Sequence, residues 1–145
     1  MTVLGVDFGT RRIGLAFSDP DERIAFPDRI LTGTPESAIA EIANTADERA
    51  ADTIVVGLPR NMDGSYGEMA ERATTFADEL SDATPAQVVT WDERLTTAQA
   101  ERAMLGGDLS RKKRKKRRDA LAAQLLLQSY LDSRNTSAPN PDRRD

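Results

Sequence analysis

The segment from Thr53 to Gly57 limits the possible folds of this chain more than any other part of its sequence. It is nearly continuous in apolar residues, as is typical of a parallel β-strand that is covered on both faces. Helical patterns lie on either side of it. One predicted helix is capped by Thr34 and has Pro35 at its first position. The next helix carries apolar residues at helical spacing: Met69, Ala73, Phe76, Ala77 and Leu80.

Further predicted elements extend this sheet. Alternating patterns or short apolar runs predict four more strands, at residues 2–8, 13–18, 29–31 and 87–91. Helical spacing predicts two more helices, at residues 96–105 and 118–132. Three strands followed by alternating helices and strands predict an α/β fold with a mixed sheet and helices on both faces. The length of 145 residues fits one domain.

Two residue types are missing, and their absence excludes several kinds of chemistry. Without Cys there are no disulfides, thiolate nucleophiles or Cys-ligated zinc, and without His there is no imidazole base or His-bound metal. Hydrolysis would therefore use carboxylates, a Lys, a hydroxyl or an oxygen-ligated metal. Since no apolar run could span a bilayer and the N-terminus enters a strand pattern directly, we expect a soluble cytoplasmic protein with no membrane partner.

Acidic residues occur at three separate edges of the predicted core. Asp7 lies in the first strand, Asp92 and Glu93 directly follow the last strand, and Asp119 lies in the last helix. Helical periodicity places Asp119 on an apolar face, with two glutamines opposite: Ala122, Ala123, Leu126 and Tyr130 against Gln124 and Gln128. A buried carboxylate must be neutral, paired with a cation or bound to a metal. The three positions together indicate a divalent-cation site.

Each acidic position also has a purely structural interpretation. Asp7 could cap the turn that follows its strand, as Asp often does. The Asp92-Glu93 pair could form an exposed strand end with an ion pair to Arg94. Asp119 could pair with one of the arginines before it, although side chains one or two positions apart on a helix do not face each other.

Positive charge is concentrated in one segment of an acidic chain. The net charge is −4, yet eight of the 20 basic residues are consecutive: Arg111, Lys112, Lys113, Arg114, Lys115, Lys116, Arg117 and Arg118. Such a segment indicates a polyanionic partner, and we expect it to bind nucleic acid together with Arg11 and Arg12. A solvated loop is the alternative interpretation.

Four segments in a fixed order carry a resemblance to a known family: Gly5–Gly14, Val56–Gly64, Asp92–Thr97 and Asp119–Leu131. They resemble the YqgF family of Holliday-junction-resolvase-like nucleases, also described as pre-16S rRNA nucleases. The resemblance implies a ribonuclease-H-like fold, with a five-stranded mixed sheet whose first three strands are antiparallel. It also implies a nuclease domain over residues 1–133, and we expect a disordered tail over residues 134–145.

The same resemblance assigns functional residues and an activity. Asp7, Glu93 and Asp119 match the family's acidic triad, which implies Mg²⁺ or Mn²⁺ as cofactor and hydrolysis of nucleic-acid phosphodiesters. The expected substrate is structured RNA, at the 5′ end of precursor 16S rRNA. The part played by Asp92, the number of metal ions and the choice between a monomer and a weak dimer stay open at this point.

Three other functions remain as alternatives. One is a Holliday-junction resolvase that acts on branched DNA. A second is a nucleic-acid-binding module that has the fold without catalysis. The third is an ATP-dependent phosphotransferase, because Asp7-Phe8-Gly9-Thr10 also resembles the phosphate-binding turn of the actin, Hsp70 and sugar-kinase superfamily, whose members need two such domains.

Overall fold

The computed structural model describes residues 1–9, 11–59, 67–93 and 120–136 of the chain. Within them one sheet has five strands: β1 (Thr2–Asp7), β2 (Arg12–Ser18), β3 (Ala25–Thr32), β4 (Ala51–Leu58) and β5 (Gln87–Asp92). Its helices are α1 (Pro35–Glu48), α2 (Glu68–Ala83) and α3 (Leu121–Thr136). The helix predicted over residues 96–105 and the basic run lie outside the described residues. In the described part, no helix is long and apolar enough to span a membrane.

The sheet has the strand order β3-β2-β1-β4-β5. The first three strands are antiparallel, whereas β4 runs parallel to β1 and β5 runs parallel to β4. This arrangement confirms the predicted mixed sheet. Because β1, β4 and β5 are mutually parallel, their carboxyl ends meet at one edge of the sheet, where loops of α/β proteins commonly build sites.

The edge strand β3 is longer than the three residues predicted from the sequence. It pairs with β2 from Ser18↔Ala25 to Arg12↔Thr32 and contains Pro27. Proline weakens a strand pattern in the sequence, but an edge strand accepts it because one side of its backbone needs no sheet partner.

One face of the sheet is covered by α1 and α2. The side chain of Thr34 accepts a hydrogen bond from the backbone N–H of Ser37 at 3.1 Å, which confirms the predicted start of α1. Apart from Thr45, the buried residues of these helices are apolar: Ala38, Ile42, Ala46, Ala70, Ala73, Phe76, Ala77 and Leu80. The prediction for Met69 is wrong, because this side chain is 37% exposed and the neighbouring Ala70 occupies the buried position.

The other face is covered by α3, which lies unusually close to the strands. A Cβ atom built on Gly5 would lie 2.8 Å from Cβ of Leu127 and 3.2 Å from the carbonyl oxygen of Ala123. The glycine therefore allows a close approach that a side chain would prevent.

The predicted orientation of α3 is wrong for its glutamines. Gln124 and Gln128 are buried, and Ala122 is exposed. Gln124 Nε2 donates to the carbonyl oxygen of Ala25 at 3.0 Å, and the N–H of Ala25 donates to Gln128 Oε1 at 2.9 Å. The helix is buried around most of its surface, so its two glutamines face the backbone of the edge strand β3 rather than solvent.

Helix α3 also continues to Thr136, beyond the predicted end at residue 132 and into the expected disordered tail. Arg134 Nη1 donates to the hydroxyl of Tyr130 at 2.8 Å. Asn135 Nδ2 donates to the carbonyl oxygens of Leu131 at 3.0 Å and Glu22 at 3.1 Å. These side-chain contacts stabilise the last turn of α3. The polar composition of this segment alone predicted disorder instead.

Candidate active site

Asp7 is the last residue of β1 and lies on the face of the sheet that α3 covers. Val3 and Gly5, which share its side of the strand, pack against α3, whereas Leu4, Val6 and Phe8 belong to the core under α1 and α2. Opposite Asp7 on β2 is Gly14. A Cβ atom built on Gly14 would lie 3.7 Å from Cβ of Asp7 and 3.4 Å from Cβ of Ala123. Small residues therefore surround this half-buried carboxyl group.

Glu93 directly follows β5, two strands away from Asp7 in the sheet. Its side chain extends over the intervening strand, since its Oε1 atom lies 2.8 Å from the place that a Cβ on Gly57 would take. The carboxyl groups of Asp7 and Glu93 meet there and share a hydrogen bond. Two acids from distant parts of the sequence thus form one pair above β4.

Because the pair is partly buried, ionisation of both carboxyl groups is energetically unfavourable. Burial, the hydrogen bond to Asp7 and the charges of Asp7 and Asp92 together raise the pKa of Glu93 to about 7, and burial is the largest of these causes. Burial also raises the pKa of Asp7, and the hydrogen bond from Glu93 opposes that increase. Below about pH 7, Glu93 therefore holds a proton that it donates to the Asp7 carboxylate.

The donor atoms of this pair fit a hard divalent cation. Both residues offer carboxylate oxygens, the ligands that Mg²⁺ and Mn²⁺ prefer, and a cation would offset the burial of their negative charges, which raises both pKa values. Within the described ranges, no group of three or more acidic side chains is arranged to hold a metal. The described chain supplies two ligand candidates, with Asp92 close enough to act on Glu93 through its charge.

The structure brings together some of the predicted site residues and leaves others undescribed. Asp7 and Glu93 are in contact, whereas Asp119 and the basic residues from 111 to 118 lie outside the described residues. Arg11 and Arg12 are exposed at the start of β2, which is the Asp7 end of the β1–β2 hairpin.

Gly57 was not among the predicted site residues. The sequence held one signal for it, because a glycine that ends an apolar strand run often marks a close approach of another group. The identity of that group depends on the strand order, which the sequence does not state.

Curated relatives resemble this chain over most of their length. It is 46% identical over 135 residues to a protein of Halalkalibacterium halodurans, covering 91% of this chain and 96% of the relative. It is 39% identical over 137 residues to a protein of Desulforudis audaxviator, covering 94% and 97%. Both are named "Putative pre-16S rRNA nuclease".

Solved structures share the fold at low sequence identity. The RuvC protein of T. thermophilus, solved in complex with a Holliday junction substrate, matches with a TM-score of 0.67 and 11% identity, covering 95% of this chain and 97% of that one. The Fowlpox virus resolvase, solved with Holliday junction DNA, matches with a TM-score of 0.57 and 14% identity, covering 92% and 98%. The fold is therefore the ribonuclease-H-like fold that the family resemblance implied.

The family comparison agrees with both sets of matches. The model of RuvX, described as a Holliday junction resolvase, matches residues 1–133. Together with the identities to the curated relatives, this match confirms the family expected from the four sequence segments, and the chain belongs to the RuvX family.

Proposed function

We propose that this protein is a metal-dependent nuclease that hydrolyses phosphodiester bonds at the 5′ end of precursor 16S rRNA. The observation that carries the proposal is the Asp7–Glu93 pair at the carboxyl edge of the parallel strands. The names of its curated relatives support the substrate, and the family supports nuclease chemistry. As part of this proposal, we place the protein in the cytoplasm.

In this proposal Asp7, Glu93 and Asp119 hold Mg²⁺ or Mn²⁺. Asp119 is proposed as the third ligand because it matches the third acid of the family's motif. In sequence it is four residues before Ala123, which lies beside Gly14, the residue opposite Asp7. When bound, the cation supplies positive charge that stabilises the reacting phosphate.

The chain's own residues prepare the site for that charge. The wall of small residues around Asp7 leaves room for a phosphate group to approach the strand backbone. Glu93 must release its proton before both carboxylates can bind a cation, so cation affinity increases as the pH rises through about 7.

Nucleic-acid binding is proposed for the basic run from Arg111 to Arg118, together with Arg11 and Arg12. The exposed position of the two arginines at the Asp7 end of the hairpin supports their part. Phosphate contacts of this kind release condensed counterions and supply most of the sequence-independent affinity.

A second candidate is a resolvase that acts on branched DNA. The description of the RuvX family favours this second candidate, because the description names a Holliday junction resolvase. The two candidates share the acidic pair and differ in the nucleic acid that the surrounding surface accepts.

One experiment tests the activity and separates the two substrates. Labelled precursor 16S rRNA and a four-way DNA junction are incubated with the protein in Mg²⁺, Mn²⁺ or excess EDTA, and the products are mapped. We expect metal-dependent cleavage at the precursor 5′ end, and none by Asp7→Asn. Junction cleavage without RNA cleavage would favour the second candidate. Binding of both substrates without cleavage in any metal would show a non-catalytic module, and full activity in EDTA would exclude metal dependence.

A binding titration with the same two nucleic acids tests whether the basic run contacts phosphate groups. Replacing Lys112, Lys113, Lys115 and Lys116 with Gln should flatten the plot of log affinity against log salt. The expected change is about 0.7 per lost phosphate contact on single strands and about 0.9 on B-form duplex. An unchanged slope would assign these cations to another role.

A further inference from the structure

Gly57 on β4 lies between the two strands that lead to the acidic pair. In the order β1-β4-β5, Asp7 ends β1 and Glu93 follows β5. Two strand spacings, about 10 Å, separate the backbones of β1 and β5. The two carboxyl groups nevertheless share a hydrogen bond, so their side chains meet above β4.

The Glu93 side chain can pass above β4 at residue 57 because this residue is glycine and has no side chain there. A Cβ atom built there would lie 2.8 Å from Oε1 and 3.2 Å from Cγ of Glu93, and 2.8 Å from Cδ2 of Leu126 on α3. Carbon atoms in proteins do not approach other groups this closely without displacement. Any residue larger than glycine must therefore move Glu93, Leu126 or both.

Glu93 is the neighbour with room to move. Leu126 is 2% exposed and packed on all sides, whereas Glu93 is partly exposed and follows the end of its strand. A side chain at position 57 would turn Glu93 away from Asp7 before it displaced a buried leucine from the core.

We propose that Gly57 is a positioning residue: its missing side chain keeps open the path along which Glu93 reaches Asp7. The effect on cleavage rests on the proposed nuclease function, whereas the effect on the contact between the two acids does not. Gly57 touches no substrate in this proposal and acts only through Glu93.

The test compares Gly57→Ala with a control on the same face of the same strand. Val55 is fully buried two residues earlier, and Val55→Ala creates a cavity that lowers stability without adding an atom near Glu93. Mn²⁺ binding is measured by titration calorimetry, thermal unfolding by circular dichroism, and the Asp7–Glu93 contact in a crystal structure of each variant.

We expect Gly57→Ala to weaken Mn²⁺ binding by about 10- to 100-fold, the range found when a residue that orients a metal ligand is lost. Its crystal structure should show Glu93 turned away from Asp7. Val55→Ala should bind Mn²⁺ like the wild type although it unfolds at a lower temperature. Wild-type Mn²⁺ affinity in Gly57→Ala, with Glu93 still bonded to Asp7, would overturn the proposal.

A second variant covers the case in which Gly57→Ala does not fold. Gly57→Ala/Leu126→Val relieves the contact with α3 and leaves the contact with Glu93, so the loss of Mn²⁺ affinity should persist. Wild-type affinity in this double variant would also overturn the proposal. Binding of nucleic acid without cleavage by the wild type in any metal would contradict the nuclease function alone, because the crystal structure of Gly57→Ala still decides the role of Gly57.

Discussion

The two faces of the sheet are built from different kinds of residue. Under α1 and α2, the strands contribute large apolar side chains to one buried cluster: Leu4, Val6, Phe8, Ile13, Leu15, Leu31, Ile54 and Val56. Under α3, three neighbouring strands instead present glycines, at positions 5, 14 and 57, and the acidic pair lies beside two of them.

This difference shows how one small sheet serves both stability and chemistry. Large apolar side chains on the α1 and α2 face supply most of the hydrophobic stabilisation. On the α3 face, missing side chains let a helix approach closely and let two carboxyl groups meet over an intervening strand. Substitution of the acidic pair should therefore reduce activity with little loss of stability, whereas substitution of a large apolar residue under α1 and α2 should reduce stability with little loss of activity.

The largest expected effects come from one substitution on each face. Asp7→Asn should reduce cleavage by more than about 100-fold, beyond the usual cost of losing a residue that only orients a ligand. Because burial raises the pKa of Asp7 and Glu93, removing one carboxylate should leave the metal-free variant at least as stable as the metal-free wild type at pH 8.

On the other face, Leu80→Ala should lose about 2–5 kcal/mol of unfolding free energy, while its folded fraction cleaves normally.

Urea unfolding and initial cleavage rates, normalised to the folded fraction, measure both variants. A large loss of stability in Asp7→Asn, or a large loss of specific activity in Leu80→Ala, would contradict the division of roles between the faces.

The sequence predicted those features that depend on local pattern. Alternation and short apolar runs predicted the strands, and Thr34 with Pro35 marked the start of α1. Asp7 and Glu93 were singled out because acids at strand ends are rare in a core and because the family motifs contain them. The contact between Asp7 and Glu93 could be expected from the family resemblance but not from the spacing of 86 positions between them.

The errors arise where tertiary packing overrides local pattern. The spacing of Gln124 and Gln128 is typical of a solvent-facing stripe. Both side chains are buried instead, because they form hydrogen bonds with the backbone of Ala25 at the start of the edge strand β3. Met69 has helical spacing, but the first turn of α2 places Ala70 against the core instead. The need for glycine at position 57 depends on the strand order, which no short segment of sequence contains.

The next largest effect should be a pH dependence that originates on the α3 face. An acid whose pKa rises on folding binds its proton more tightly when folded, so its contribution to stability is complete below its ordinary pKa of 4.5 and is lost as the pH rises through about 7. In EDTA, we expect the unfolding free energy to fall by on the order of 2 kcal/mol between pH 5 and 8, less than the full shift because solvent screens a half-exposed group.

Urea unfolding at several pH values tests this dependence against two variants. Glu93→Gln should flatten the profile between pH 5 and 8. Asp19→Asn should not, because an Asp ordinarily titrates below this window and the backbone N–H groups of Ile24 and Arg23 lower the pKa of Asp19 further. A wild-type slope in Glu93→Gln would assign the pH dependence to another group.

The smallest expected effects concern the polar contacts that hold α3 to β3. Gln128→Leu removes the partners of the Ala25 N–H and the Arg23 carbonyl, so it should cost about 1–2 kcal/mol of unfolding free energy. Gln124→Leu should cost less, since Oε1 of Gln124 is buried without a hydrogen-bond partner in the described part of the chain. Urea unfolding of both variants measures the difference. If Gln128→Leu costs nothing, apolar contacts alone hold α3, and the two faces differ less than their residues indicate.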